Sequence, residues 1–121
     1  MSSPESFEER RELQQQRLLE LGSRSTKRFI NLDGAVYRSG ALPARTKELL
    51  GLVASMVLRC EDCIKYHLTR CHRGGVETAE LIEALDVALI VGGSIVVPHY
   101  RRALEHWESL TDEEPTARRD R

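Results

Sequence analysis

The sequence predicts an all-α protein of about five to six helices, and three observations carry that prediction. Glycine and proline at 22, 34, 40, 43, 51, 74–75, 92–93 and 98 divide the chain into segments of helix length. Between most of them apolar residues recur at the three- and four-residue spacing that lines one side of a helix. Nowhere is the alternation of a half-buried strand sustained.

The elements follow in order. Ser6 with Glu9 three residues on is a capping-box pattern, so a first helix is expected from about 7 to 21, stopped by Gly22. Its apolar residues, Phe7, Leu18 and Leu21, are sparse, and such a helix is marginal alone. It is expected to dock as an arm on the body or on a neighbouring subunit. A second helix is expected over roughly 25–38, capped by Ser25 or Thr26, with Phe29, Ile30, Leu32, Val36 and Tyr37 as its apolar set and Gly34 inside it. Pro43 suits a first helical turn, and LPARTKELLGLVASMVL then carries Leu49, Val53 and Met56 along one stripe.

The segment 59–72, RCEDCIKYHLTRCH, is closed by Gly74-Gly75. ETAELIEALDVALIV places Leu81, Leu85, Ala88 and Leu89 on one face, with Glu80 and Glu83 on another, and Gly92-Gly93 ends it. A last helix near 95–110 holds Val96, Leu104 and Trp107. The polar tail TDEEPTARRDR is expected to be disordered. The organisation read from this is an N-terminal helical arm over 1–24, one domain over 25–110 and a tail over 111–121.

A chain of 121 residues has room for one domain of ordinary size. With 18 basic residues against 19 acidic ones, nothing in the charge favours nucleic acid or an anionic membrane as partner. The segment MSSPESFEERRELQQQ lacks the apolar core of a secretory signal, and the longest nearly apolar run, 87–98, is shorter than a bilayer span. The expectation is a soluble cytoplasmic protein. All three cysteines lie within twelve residues, 60–71, unlike the spaced, even-numbered set of a secreted disulfide scaffold. In a cytosolic chain such clustering points to metal or redox chemistry.

On a helix, Cys60, Cys63, His67 and Cys71 follow the offsets i, i+3, i+7 and i+11 and so share one face. Strung over ~16 Å of axis at ~1.5 Å per residue, they cannot converge on one zinc ion at bonding distance, so no metal site is expected. Cys71 reads as a buried core residue. Cys60 and Cys63, one turn apart, can close a short disulfide, and His67 is within reach of Cys63 at i+4. A helix starting near Cys60 lowers the thiol pKa through its positive end, whereas Glu61 and Asp62 act in the opposite direction. His67 fits a base that takes the proton of Cys63 near neutral pH.

Glu48, twelve residues before Cys60, completes the pattern E-x11-C-x-x-C-x-x-x-H with Cys60, Cys63 and His67. With the flanking GGVETAELIEALDVALIVGGS, the chain over about 28–108 resembles the AhpD-like branch of the carboxymuconolactone decarboxylase family. The resemblance implies a compact all-helical domain that assembles as a homotrimer or homohexamer, with thiol-dependent peroxidase or disulfide oxidoreductase activity. It implies that Cys63 is oxidised to sulfenic acid, that Cys60 donates a proton and then closes the disulfide, and that Glu48 and His67 form a proton relay. The substrate would be a peroxide or a disulfide and the partner an external thiol reductant, with no metal or organic cofactor. One departure is Asp62, where AhpD itself has histidine. The alternatives are a non-redox, decarboxylase-like enzyme acting on a small carboxylated lactone or acid through His67 or His99, and a non-catalytic oligomeric module.

The relay sets a geometric condition. In one straight helix Glu48 and Cys60 would stand ~18 Å apart, too far for proton transfer. The chain must therefore break near 58–60 and reverse, bringing Glu48 opposite residues 67–70. Without the resemblance, Glu48 reads equally as a solvated residue paired with neighbouring bases. His99 is in a position to approach the site from the last helix, but the default for it is a packed or surface residue; Arg101 and Arg102 offer charge for an anionic substrate, with a solvated face as the default, and Tyr100 and Trp107 read as packing residues rather than ligand-stacking ones.

Overall fold

A computed structural model of the chain describes residues 6–113. Among these residues every regular element is helical: α1 (Phe7–Leu21), α2 (Arg24–Val36), α3 (Ala44–Leu58), α4 (Glu61–Arg73), α5 (Thr78–Gly92), a 3-10 turn (Ser94–Val96) and α6 (Val97–Glu113). The all-α expectation holds. Two compact units meet in sequence at Gly40 and Ala41.

In the first unit, α1 starts at the capping box read from sequence. The Glu9 N–H donates to Ser6 Oγ at 3.1 Å, and the Ser6 N–H to Glu9 Oε1 at 3.0 Å. Helix α2 begins earlier than expected because Ser23, not Ser25 or Thr26, caps it, accepting the Thr26 N–H. Gly22 between them is required by space: a Cβ there would lie 2.6 Å from the Leu18 carbonyl oxygen. Neither helix holds a buried residue, and Phe29, Leu32 and Val36 are exposed.

The second unit carries the core. Leu52 and Met56 of α3, Ile64, Leu68 and Cys71 of α4, Leu81, Leu85 and Ala88 of α5, and Ala103 and Trp107 of α6 are buried together, with Val76 and Val96 closing the cluster. Each large apolar side chain buried this way contributes about 1.5–3 kcal/mol. The Trp107 Nε1–H donates to Thr78 Oγ1 at 3.0 Å, which fastens α6 to the start of α5.

The break between α3 and α4 lies where the relay requires it. Arg59 adopts the left-handed conformation, with φ 61°. Its N–H bonds the Met56 carbonyl and the Cys60 N–H bonds the Ser55 carbonyl, a Schellman closure in which arginine stands where glycine is usual. Gly75, with φ 87°, closes α4 in the same way: its N–H bonds the His72 carbonyl and the Val76 N–H bonds the Cys71 carbonyl. At the end of α5, a Cβ on Gly92 would lie 2.5 Å from Val96 Cγ2, so this glycine lets the turn into α6 pack closely. Helix α6 runs to Glu113, so residues 111–113, expected in the disordered tail, are helical: Leu110 still packs against the core, and the Thr111 hydroxyl donates to the Trp107 carbonyl one turn back at 3.3 Å. Residues 114–121 of that tail, and residues 1–5 of the arm, lie outside the described residues.

Candidate active site

Cys60 is the N-cap of α4 and its Sγ accepts the Cys63 N–H at 3.3 Å. The two cysteines are joined in a disulfide with Cα atoms 5.3 Å apart, a usual separation for such a bond. Cys60 is half-buried and Cys63 is exposed. Outward access at Cys63 results from its place in the first turn, where Glu61 and Asp62 also fit the positive end of the helix.

The four residues of the cysteine and histidine stripe do not share one environment. Cys60 precedes the helix, and each step of four residues, Cys63 to His67 to Cys71, advances ~40° around the axis. The line therefore rotates from solvent into the core: His67 is buried and Cys71 is completely so. Burial, with Glu48 nearby adding to it, pushes the Cys71 thiol up to about 12, so it is a protonated packing residue at neutral pH. Among the described residues no group of three or more His, Cys, Asp or Glu side chains is arranged to hold a metal ion.

Glu48 comes from α3, and the antiparallel return of α4 brings it to His67. His67 Nδ1 and Glu48 Oε1 are 2.8 Å apart, with side-chain exposures of 10% and 7%. The solvated alternative for Glu48 is thereby set aside. Its other oxygen, Oε2, lies 3.6 Å from Arg70 Nε. Arg70 had not been singled out from sequence, although its i+3 spacing from His67 and the predicted placement of Glu48 opposite 67–70 contained it. Through helical spacing, His67 stands one turn beyond Cys63, so a buried carboxylate–imidazole pair backs an accessible sulfur.

A second group adjoins the cysteines. His99 Nδ1 bonds Glu61 Oε2, and Arg102 Nε bonds the same oxygen at 3.0 Å. Arg102 stays exposed, as expected of a solvated face, and α6 crosses the start of α4 closely enough for its guanidinium to reach Glu61. Burial alone would raise the Glu61 pKa, but the bonds to His99 and Arg102 outweigh it and hold the carboxyl below its ordinary range. Tyr100 donates its hydroxyl to Asp86 at 3.0 Å; burial first, and then this bond, raises the phenol pKa.

Among the described residues no helix is long and apolar enough to cross a membrane. Two crystal structures of one Thermotoga maritima protein match this chain at 55% identity. One covers 91% of this chain and 96% of that one with a TM-score of 0.88, the other 94% and 97% with 0.85. For that protein, a carboxymuconolactone decarboxylase family member, a part in an antioxidative response has been suggested. A member of the same family from Legionella pneumophila, in its apo form, matches at 25% identity and TM-score 0.78, over 85% of this chain and 92% of that one. Protein 4 of the cox locus of Paracoccus denitrificans is 32% identical over 76 residues, 63% of this chain and 68% of that protein. The model of the carboxymuconolactone decarboxylase family matches residues 24–106, and with the helical fold and these relatives it establishes that the chain belongs to the carboxymuconolactone decarboxylase family.

Proposed function

We propose that the protein is a thiol-dependent oxidoreductase of the AhpD-like kind, reducing a peroxide or a disulfide through Cys63 and Cys60. The observation that carries this reading is an exposed Cys63 bonded to Cys60 at the start of α4, with the buried Glu48–His67 pair one turn behind. In the reduced state the Cys63 thiolate attacks the peroxide oxygen. The O–O bond breaks, Cys63 becomes a sulfenic acid, and the leaving oxygen takes a proton and departs as water from hydrogen peroxide or as an alcohol from an organic hydroperoxide. Cys60 then attacks the Cys63 sulfur, forming the disulfide and releasing water. With a disulfide substrate, Cys63 forms a mixed disulfide and expels one thiol, and Cys60 displaces the second. An external thiol reductant returns both sulfurs to the reduced state.

In this reading Nδ1–H of His67 is held by Glu48, which orients the ring and fixes the tautomer through which it receives and returns protons. The greater exposure of Cys63 makes it the attacking sulfur, and the half-buried Cys60 the resolving one. The reading includes assembly as a homotrimer or homohexamer, for which exposed Val87, Ile90 and Val91 of α5 offer an apolar face; a monomer by sedimentation would remove that part.

The test is turnover of peroxide and of a small disulfide by wild type and by Cys63→Ser. Activity is expected in the wild type and its loss in the variant; undiminished turnover in Cys63→Ser would sink the assignment. Counting free thiols after peroxide treatment should give a loss of two per chain.

A further inference from the structure

Glu61 directly follows Cys60 and precedes Cys63 by two residues. A free carboxylate at that point opposes negative charge on either sulfur. Glu61 is engaged instead: one of its oxygens is shared by His99 Nδ1 and Arg102 Nε, and Arg102 Nη2 lies 3.4 Å from His99 Nδ1. The three side chains are sheltered to different degrees, with exposures of 15% for His99, 32% for Glu61 and 51% for Arg102. Around the cysteine pair the titratable and charged side chains include Arg59 directly before Cys60, Glu61 and Asp62 on α4, Glu48 with His67 and Arg70 between α3 and α4, and His99 with Arg102 on α6; the α6 pair bonds Glu61 itself.

We propose that His99 and Arg102 form a charge clamp on Glu61 that sets the reactivity of the Cys60–Cys63 pair. The proposal rests on the reading of that pair as a redox centre. Arg102 is positive at every accessible pH, so the clamp offsets the carboxylate and leaves the positive end of α4 to act on the sulfurs. His99 adds a donor that fixes the carboxylate toward α6. Both are positioning residues, acting on the thiols through Glu61. The competition between the helix end and the acidic residues of the first turn is thereby decided in part by a different helix. It also gives the chemistry of α4 a dependence on α6 that the C-x-x-C spacing does not contain.

The experiment is the pH–rate profile of iodoacetamide alkylation at Cys60 and Cys63 in the reduced full chain, with the modified residues located by mass spectrometry. Removing the clamp in the double variant His99→Gln/Arg102→Gln is expected to raise the midpoint by about half a unit to one unit, a three- to tenfold change in thiolate fraction below it. Glu61→Gln alone is expected to lower the midpoint. Adding Glu61→Gln to the double variant is expected to return it to the wild-type value, which a purely structural role for the clamp would not do. An unchanged midpoint in the double variant, or a triple variant that stays with the double, overturns the proposal. If the double variant does not fold, Glu61→Gln decides by itself: no downward shift overturns the clamp. Alkylation needs no turnover, so a wild type inactive on peroxide and disulfide defeats the functional reading, whereas midpoints that ignore these charges defeat the clamp.

Discussion

His67 Nδ1 stands 2.8 Å from Glu48 Oε1 across a reversal of the chain, and both side chains are buried. Such a pair works as a unit, because the carboxylate fixes the orientation and the tautomer of the ring. Glu48→Ala and His67→Ala are each expected to lower kcat/KM of the proposed reaction by about 10²-fold or more. The double variant should fall no further than the weaker single one. Losses that multiply in the double variant would mean the two side chains act separately. Glu48→Ala also removes a buried partner of His67 and should cost about 1–3 kcal/mol of stability in urea unfolding.

The depressed carboxyl of Glu61 makes a prediction about acid. A folded-state pKa below the ordinary 4.5 contributes stability that is present above that value and lost as pH falls through the folded one. Wild type should therefore lose this contribution below pH 4.5, whereas Glu61→Gln has none to lose. Glu80, lowered by its bonds to Arg45 and the Glu77 N–H, has the same sign and remains in both proteins. Urea unfolding at about pH 6 and pH 3 should show a gap between wild type and variant that narrows in acid. A gap that stays constant would contradict the ion pairing on α6.

Cys71 makes the opposite case. With its thiol pushed up to about 12, it should resist iodoacetamide at pH near 8 in the folded, reduced protein and react only after denaturation. Two modified cysteines per native chain and three per denatured chain are the expected counts by mass spectrometry. A raised folded value also means stability present below the ordinary 9.0 and lost as pH rises beyond it, so Cys71→Ala should flatten the alkaline limb of the stability profile.

Packing gives a prediction independent of chemistry. Leu85 is completely buried in the centre of α5, and Leu85→Ala should cost about 2–5 kcal/mol. Trp107→Phe removes the hydrogen bond to Thr78 and the edge-on contact of the indole with His72, and should cost less than the leucine truncation. Thermal unfolding of the two variants side by side checks the order.

Much of the helical order was legible because glycine, proline and capping residues act locally. Ser6 with Glu9, Gly22 and Gly74-Gly75 mark the ends of their helices from within four residues. The reversal at 58–60 was legible by a different route: a relay spanning Glu48 and His67 is impossible on a straight rod, and Arg59 supplies the turn without any glycine to announce it. What sequence could not give were the cross-helix partners. Arg102 meets Glu61 at a separation of 41 residues, and Arg45 meets Glu80 at 35, and neither partner can be named from the residues around the arginine. The partners of the acidic first turn of α4 likewise lie on α6, where His99 and Arg102 bond Glu61, and no local pattern encodes them.

Arg59 and Cys60 are the whole linker between α3 and α4. Its brevity leaves no slack, so the rotational phase of α4 is dictated by the end of α3. One residue inserted there would turn α4 by ~100° and carry His67 away from Glu48, although every residue of the motif would still be present. The count of eleven residues between Glu48 and Cys60 is thus a phase setting for two helices, as much a part of the site as the side chains themselves.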